Sequence, residues 1–396
     1  MTRPVRWILT TVGALVLVAV GALTAASMLT DRSQWARVVM WRDADVGDRD
    51  RFPARLIAHV PGDTWAFAQP RDGSEYDRLW APLRHRTAEG ERTAPFDTFL
   101  AARGTHAFLV LLGDTLLTER YYHGATAESV FTSFSAAKSL LSLLVGLAIA
   151  NGAMAGEDVP VTTWVPELVD RDPRFAAITL RHLMTMSSGL AFDHDPQWRD
   201  PARTYYAPDL RRVAVTPRWS ESPGTVFRYN NYNPLLVGLA LERATDMSVS
   251  AYLETHLWRR IGAAGPASWS LDSERHGFEK MESGFNARAA DYARLGRLML
   301  QGGRRDGVQI LPDTWIARST GVDGVGDPNP RYQYFWWTTA VDTMPAPFWA
   351  EGRFGQFIWI APRDGLVIVR LGPDDGDVNW PSVFTALATR LRGDTP

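Results

Sequence analysis

The hydrophobic pattern begins with an unbroken block. Residues 7–29 form a 23-residue run without a charged side chain, preceded by Arg3 and Arg6 and followed by Asp31 and Arg32. That length can span a bilayer, and the two arginines predict an N-terminus held in the cytoplasm with the rest of the chain translocated. Ala25-Ala26-Ser27 also offers a small-residue cleavage site, so residues 1–30 read as a signal anchor or, alternatively, as a signal peptide. The run is longer than the roughly 7 to 15 apolar residues usual for a signal peptide, which favours the anchor.

From 31 to 100 the chain is rich in Arg, Asp and Pro and only weakly periodic, which predicts an extended segment wrapping a body that occupies 101–396. Two apolar runs, 107–112 and 115–122, are joined by Gly113-Asp114 in the pattern of a β-hairpin. The period then changes: over 135–150, Leu140, Leu141, Leu144, Val145 and Ala148 share one side and Gly152 follows the end, predicting a core helix. Residues 155–270 read as short helices and loops, and 287–301 as a longer helix. Strand patterns return at 332–339, 356–361 and 366–371, the last two linked by Pro362-Arg363-Asp364-Gly365, before a closing helix at 382–391. Strands from both ends around a helical middle predict an α/β (α+β) body: an antiparallel sheet flanked by helices, with an all-helical lobe, about residues 131–280, inserted in it.

Composition narrows the chemistry. With 42 basic against 44 acidic residues the net charge is −2, so no broad positive field exists to bind nucleic acid. The absence of cysteine removes disulfides, thiolate nucleophiles and Cys-ligated metal sites. Lysine occurs only at Lys138 and Lys280, every other cationic residue being arginine. Because lysine, unlike arginine, can lose its proton when buried, each of the two is a candidate for chemistry.

Ser135-Ala136-Ala137-Lys138 places a hydroxyl and an amine one helical turn apart at a predicted helix start. A serine hydroxyl needs an adjacent base to become a nucleophile, and desolvation is what turns an amine into one. The helix N-terminus adds N–H groups suited to a developing oxyanion. Taken alone, Ser135 is equally readable as a helix cap and Lys138 as a solvated residue, although a solvated cation in this chain would more naturally be arginine. No Gly-x-Ser-x-Gly elbow, His-Glu-x-x-His pair or close histidine cluster occurs, which disfavours an α/β-hydrolase and a zinc hydrolase.

Ser135-Ala-Ala-Lys138, followed by Tyr229-Asn230-Asn231, resembles the first two motifs of the serine β-lactamase and penicillin-binding protein superfamily, in the Tyr-x-Asn version of class C enzymes and related esterases. The surrounding residues 184–190 (MTMSSGL), Pro223-Gly224 and the stretch from Asn233 to Thr245 are similar as well. Within the superfamily the chain looks most like 6-aminohexanoate-dimer hydrolases and their carboxylesterase relatives. The resemblance covers about residues 50–390 and implies a β-lactamase-like fold. It also implies Ser135 as acylated nucleophile, Lys138 as base, Tyr229 as proton relay, and Asn231 as hydrogen-bond partner of Lys138 or substrate. The third motif falls on Ala350-Glu351-Gly352-Arg353, where Ala350 and Glu351 replace the Lys and Thr of Lys-Thr-Gly. By the same resemblance the backbone N–H groups of Ser135 and Arg353 form the oxyanion hole. Loss of the motif's cation argues against anionic β-lactams and for small ester or amide substrates. No cofactor or metal is implied, and no feature of the sequence points to an oligomeric state. The expectation is therefore an exported serine hydrolase, anchored through residues 7–29 with its body on the periplasmic side, or secreted if the segment is cleaved. Two other readings stand beside it, a D-alanyl peptidase or β-lactamase and an inactive, membrane-tethered binding protein of the same fold.

Overall fold

The computed structural model describes residues 28–70, 79–87, 90–195, 198–321, 328–339 and 345–392, with Val12, Gly21, Ala25 and Ala26 singly. Most of the apolar run at 7–29 lies outside them, and among the described residues no helix is long and apolar enough to cross a membrane.

The body is built on a seven-stranded antiparallel sheet. Its strand order is Tyr332–Gln333, Trp336–Thr338, Phe348–Gly352, Gln356–Ala361, Leu366–Leu371, Ala107–Leu112 and Thr115–Tyr121. Strands Gln356–Ala361, Leu366–Leu371 and Ala107–Leu112 read as almost continuous apolar runs because both faces are covered. Leu109, Leu111, Ile358, Ile360, Val367 and Val369 face the main core, whereas Phe108, Val110, Phe357, Trp359, Leu366 and Ile368 face a second one. Helix Ala289–Leu300 packs on the first face, and helices Phe96–Ala102 and Trp380–Arg392 cover the other. The antiparallel, helix-flanked sheet expected from the hydrophobic pattern is the observed one.

The hairpins 107–112/115–121 and 356–361/366–371 fall where the apolar runs and their turn residues place them. The segment 332–339, read as one strand, is instead a tight hairpin in which Tyr334 (φ 43°) and Phe335 (φ 69°) take left-handed backbone. Tertiary ties impose that turn: the Phe335 N–H donates to the Met184 carbonyl at 2.9 Å, and the Ser139 hydroxyl donates to the Phe335 carbonyl at 2.6 Å.

A second sheet of four short strands, Ala54–Ile57, Ala267–Ser270, Phe285–Arg288 and Val130–Thr132 in that order, has no counterpart in the sequence pattern. Strands of three or four residues leave too few positions for an alternation to register. Among the described residues only helices and loops lie between Ala136 and Trp258, and the expected all-helical stretch of 131–280 is narrowed at its start by strand Val130–Thr132 and near its end by strand Ala267–Ser270.

Residues 31–57 are more regular than their composition indicates. Helix Gln34–Trp41 starts at Ser33, whose hydroxyl accepts from the Ala36 N–H, and it packs on helix Asp200–Tyr206. Buried Arg37 fastens the two by donating to the Thr30 and Tyr206 carbonyls, with its guanidinium over the Trp41 and Phe52 rings. This N-terminal segment is one wall of the cavity described next.

Candidate active site

Ser135 lies where strand Val130–Thr132 gives way to helix Ala136–Ala150. The junction is held from both sides: Ser133 N–H donates to the Phe285 carbonyl at 2.8 Å, and Phe134, buried at the turn, takes φ 44°. A left-handed phenylalanine immediately before the serine is local strain imposed by the surrounding fold. It starts the helix at Ser135 and presents the hydroxyl beside the helix N-terminus.

Lys138, 1% exposed, sits one turn on. Its Nζ is hydrogen-bonded to Ser135 Oγ at 2.8 Å and donates to the Glu282 main-chain carbonyl at 2.8 Å, and it lies 5.0 Å from the centroid of the Tyr229 ring. All three neighbours are uncharged groups. Glu282 was beyond sequence reasoning, because it acts here through a carbonyl that any residue supplies.

Tyr229 is half-buried, stacked on Trp337 (6.2 Å, 16°) and edge-on to Tyr332 (5.9 Å, 78°). Burial, and then the neighbouring Tyr229 and Glu351, pushes the Tyr332 hydroxyl well above the usual tyrosine value. The chain after Tyr229 turns on Asn230, whose Oδ1 accepts from the Tyr232 and Asn233 N–H groups and so opens helix Tyr232–Thr245. Asn231 does not bond Lys138. Its amide donates to Thr204 Oγ1 at 3.4 Å, its Oδ1 is buried without a partner, and it faces the cavity beside Ser135.

The third-motif residues end strand Phe348–Gly352, next to Ser135. A Cβ on Gly352 would stand 2.1 Å from the Ser133 carbonyl oxygen and 3.1 Å from the Ser135 nitrogen, so only glycine lets this strand reach the start of the helix. Ala350 is sealed in the core with no exposed surface. Glu351 accepts from the Trp349 indole N–H at 2.9 Å, and burial raises its carboxyl above the ordinary glutamate value. The Arg353 side chain is exposed over the Phe354 ring. The turn after Gly352 is pinned by Gln356, which donates to the Arg353 carbonyl at 3.1 Å, and by buried Arg370, which donates to the Phe354 and Gly355 carbonyls at 2.7 and 2.9 Å. Burial draws Arg370 down to about 9, but acceptors on every side of the guanidinium keep it a cation at neutral pH.

Ser135 stands between two hollows. The larger, about 960 Å³, is bounded by Trp41, Tyr205, Asn231, Glu282 and Arg353; the smaller, about 320 Å³, by Tyr229, Trp337, Glu351 and Arg353. A reacting group on Ser135 can thus extend to either side. Among the described residues no cluster of three or more His, Asp or Glu side chains is arranged to hold a metal ion.

Comparison with known proteins bears on the family and the fold. The Beta-lactamase family model matches residues 96–381. The 6-aminohexanoate-dimer hydrolase of Paenarthrobacter ureafaciens is 28% identical over 325 residues, 76% of this chain and 81% of that protein. Among solved structures, a Bacillus anthracis protein assigned as a 6-aminohexanoate-dimer hydrolase superposes with a TM-score of 0.76 at 21% identity, over 89% of this chain and 94% of its own. A family VIII carboxylesterase superposes with a TM-score of 0.56 at 13% identity, over 82% of this chain and 99% of its own.

Proposed function

The chain belongs to the Beta-lactamase family, and from that premise we propose that it is an exported serine hydrolase cleaving ester or amide bonds through an acyl-enzyme on Ser135. The observation that carries the reading is the 2.8 Å contact between Lys138 Nζ and Ser135 Oγ, with a neutral carbonyl as the other hydrogen-bond partner of the amine.

In this reading Lys138 Nζ takes the hydroxyl proton as Ser135 Oγ attacks the substrate carbonyl carbon. The negative charge that develops on the carbonyl oxygen meets the backbone N–H groups of Ser135 and Arg353, reinforced by the helix N-terminus. As the tetrahedral intermediate collapses, the proton reaches the leaving alcohol or amine through Tyr229, and the C–O or C–N bond breaks. Water then attacks the ester on Ser135, its proton returns along the same groups, and free acid and serine result. Asn231, facing the larger hollow, contacts substrate.

Substrate charge follows from the third-motif side. Ala350 supplies no cation and is sealed, while Glu351 borders the smaller hollow. A charge-assisted hydrogen bond contributes about 1.5 to 3 kcal/mol, so an anionic β-lactam lacks roughly a 10- to 150-fold rate advantage here. Neutral short-chain esters are the expected substrates, with linear amides slower; the carboxylesterase neighbour's name supports the ester and the 6-aminohexanoate-dimer hydrolase's name the linear amide. The body works outside the inner membrane, tethered by residues 7–29. The test is kcat/KM of the purified protein on p-nitrophenyl butyrate and on a penicillin. Faster ester turnover is expected, and faster penicillin turnover would overturn the assignment.

A further inference from the structure

The chain's only two lysines meet at one residue. Lys138 Nζ donates to the main-chain carbonyl of Glu282 at 2.8 Å, and Lys280 Nζ holds the same residue's carboxylate, 3.0 Å from Oε1. Lys280 has no exposed surface. It also donates to the Tyr205 carbonyl, and its ammonium lies 4.4 Å from the centre of the Phe52 ring and 3.8 Å from that of Tyr205. The other charges around it are Arg37 and Asp48, the latter accepting from the Tyr205 hydroxyl at 2.8 Å.

The loop carrying both groups is tightly made. Ser283 N–H donates to the Lys280 carbonyl at 3.0 Å, and the Trp269 indole N–H is shared between the Lys280 and Ser283 carbonyls, each at 2.9 Å. Gly284 follows at φ 81°, with room for a Cβ only if Lys280 and Ser270 give way. The Ser283 hydroxyl donates to Glu282 Oε1 at 2.9 Å, while Oε2 has no partner and Glu282 borders the larger hollow beside Ser135. A buried ion pair of this kind adds little to stability, since desolvation offsets most of the attraction. Its geometry, however, fixes the one carbonyl from which the Lys138 amine hangs.

We propose that Lys280 is a positioning residue: by clamping the Glu282 carboxylate it holds the Glu282 carbonyl against Lys138, so that the amine keeps its lone pair turned toward Ser135. A neutral amine has two N–H bonds and one lone pair, and donating one N–H to a fixed carbonyl restricts rotation about Cε–Nζ. This rests on the reading of Lys138 as the base.

The experiment compares the full-length, detergent-solubilised protein with Lys280→Met and with Lys280→Met/Glu282→Gln, measuring kcat and KM on p-nitrophenyl butyrate together with Tm. The single variant strands a buried carboxylate and should lose Tm, with kcat down about tenfold or more and KM within about twofold of the parent. In the double variant the neutral pair should recover the parental Tm while kcat stays at least about fivefold low. Parental kcat in the double variant at parental Tm would make the pair structural only, and parental kcat in Lys280→Met would likewise overturn the proposal. A separate control is labelling of Ser135 by a fluorophosphonate in the parent: without it the acyl-enzyme reading itself falls, and the positioning role with it.

Discussion

The two lysines of this chain occupy opposite kinds of burial. Lys138 touches a hydroxyl, a carbonyl and an aromatic ring, and it opens toward solvent through Ser135 at the junction of two hollows. Lys280 is closed in by a carboxylate, a carbonyl and two ring faces. Burial pulls the Lys280 ammonium below the usual lysine value, and the Glu282 carboxylate pulls it back. Lys280 thus sits against a charged partner, whereas Lys138 meets only neutral dipoles. In the proposed reading it is the character of the immediate partners, and not burial alone, that separates the base from the positioning residue.

The strongest way to break the contrast is to make position 138 a permanent cation. Lys138→Arg should lower kcat/KM on p-nitrophenyl butyrate at least about 10³-fold, as should Ser135→Ala, because the two act as one unit. Near-normal turnover in Lys138→Arg would remove the distinction between the two lysines. Next comes the approach of the third-motif strand. Gly352→Ala places a methyl 2.1 Å from the Ser133 carbonyl oxygen, and displacement of the Ser135 amide should cost about 10²-fold or more in kcat, read in steady-state kinetics. Tyr229→Phe removes the hydroxyl but keeps the ring that faces Lys138 and stacks on Trp337. A loss of about 10- to 10²-fold with little change in KM is expected, since water partly replaces the relay.

The smallest effect concerns Glu351, whose carboxyl burial raises above its ordinary value. A carboxyl that binds its proton more tightly when folded favours the folded state fully below the unfolded pKa and loses that contribution as pH rises through the folded one. Glu351→Gln, which still accepts from the Trp349 indole, should therefore raise Tm at pH 8 by about 1 °C or more. Thermal melts should show that difference shrink on acidification and vanish below about pH 4. An unchanged or lower Tm at pH 8 would show that the carboxylate is not penalised there.

The sequence exposed those features that depend on residue type at short range. The central strands were legible because both their faces are apolar, and Lys138 stood out because this chain otherwise uses arginine. What stayed hidden depends on contacts between distant residues. The Tyr334–Phe335 turn is set by Met184 and Ser139, and Glu282 acts through a carbonyl independent of its side chain. Lys280 could be noticed as the other lysine, but the rings enclosing it come from residues 52 and 205. Arg370 pins the turn after Gly352 through carbonyls of residues 354 and 355, contacts that its place in the strand pattern at 366–371 does not reveal. Asn231 illustrates the converse: its position in Tyr-x-Asn suggested a bond to Lys138 or to the substrate, yet its amide donates to Thr204 and its Oδ1 is left without a partner.

The central claim is that Ser135 is a nucleophile activated by Lys138. It is tested most directly by intact-mass and peptide mass spectrometry of the full-length protein and of Lys138→Arg after exposure to a fluorophosphonate. A single adduct on the Ser135 peptide of the parent, formed at least about 10³-fold more slowly in Lys138→Arg, is the predicted result. No adduct, an adduct on another serine, or equal labelling of the two proteins would contradict it.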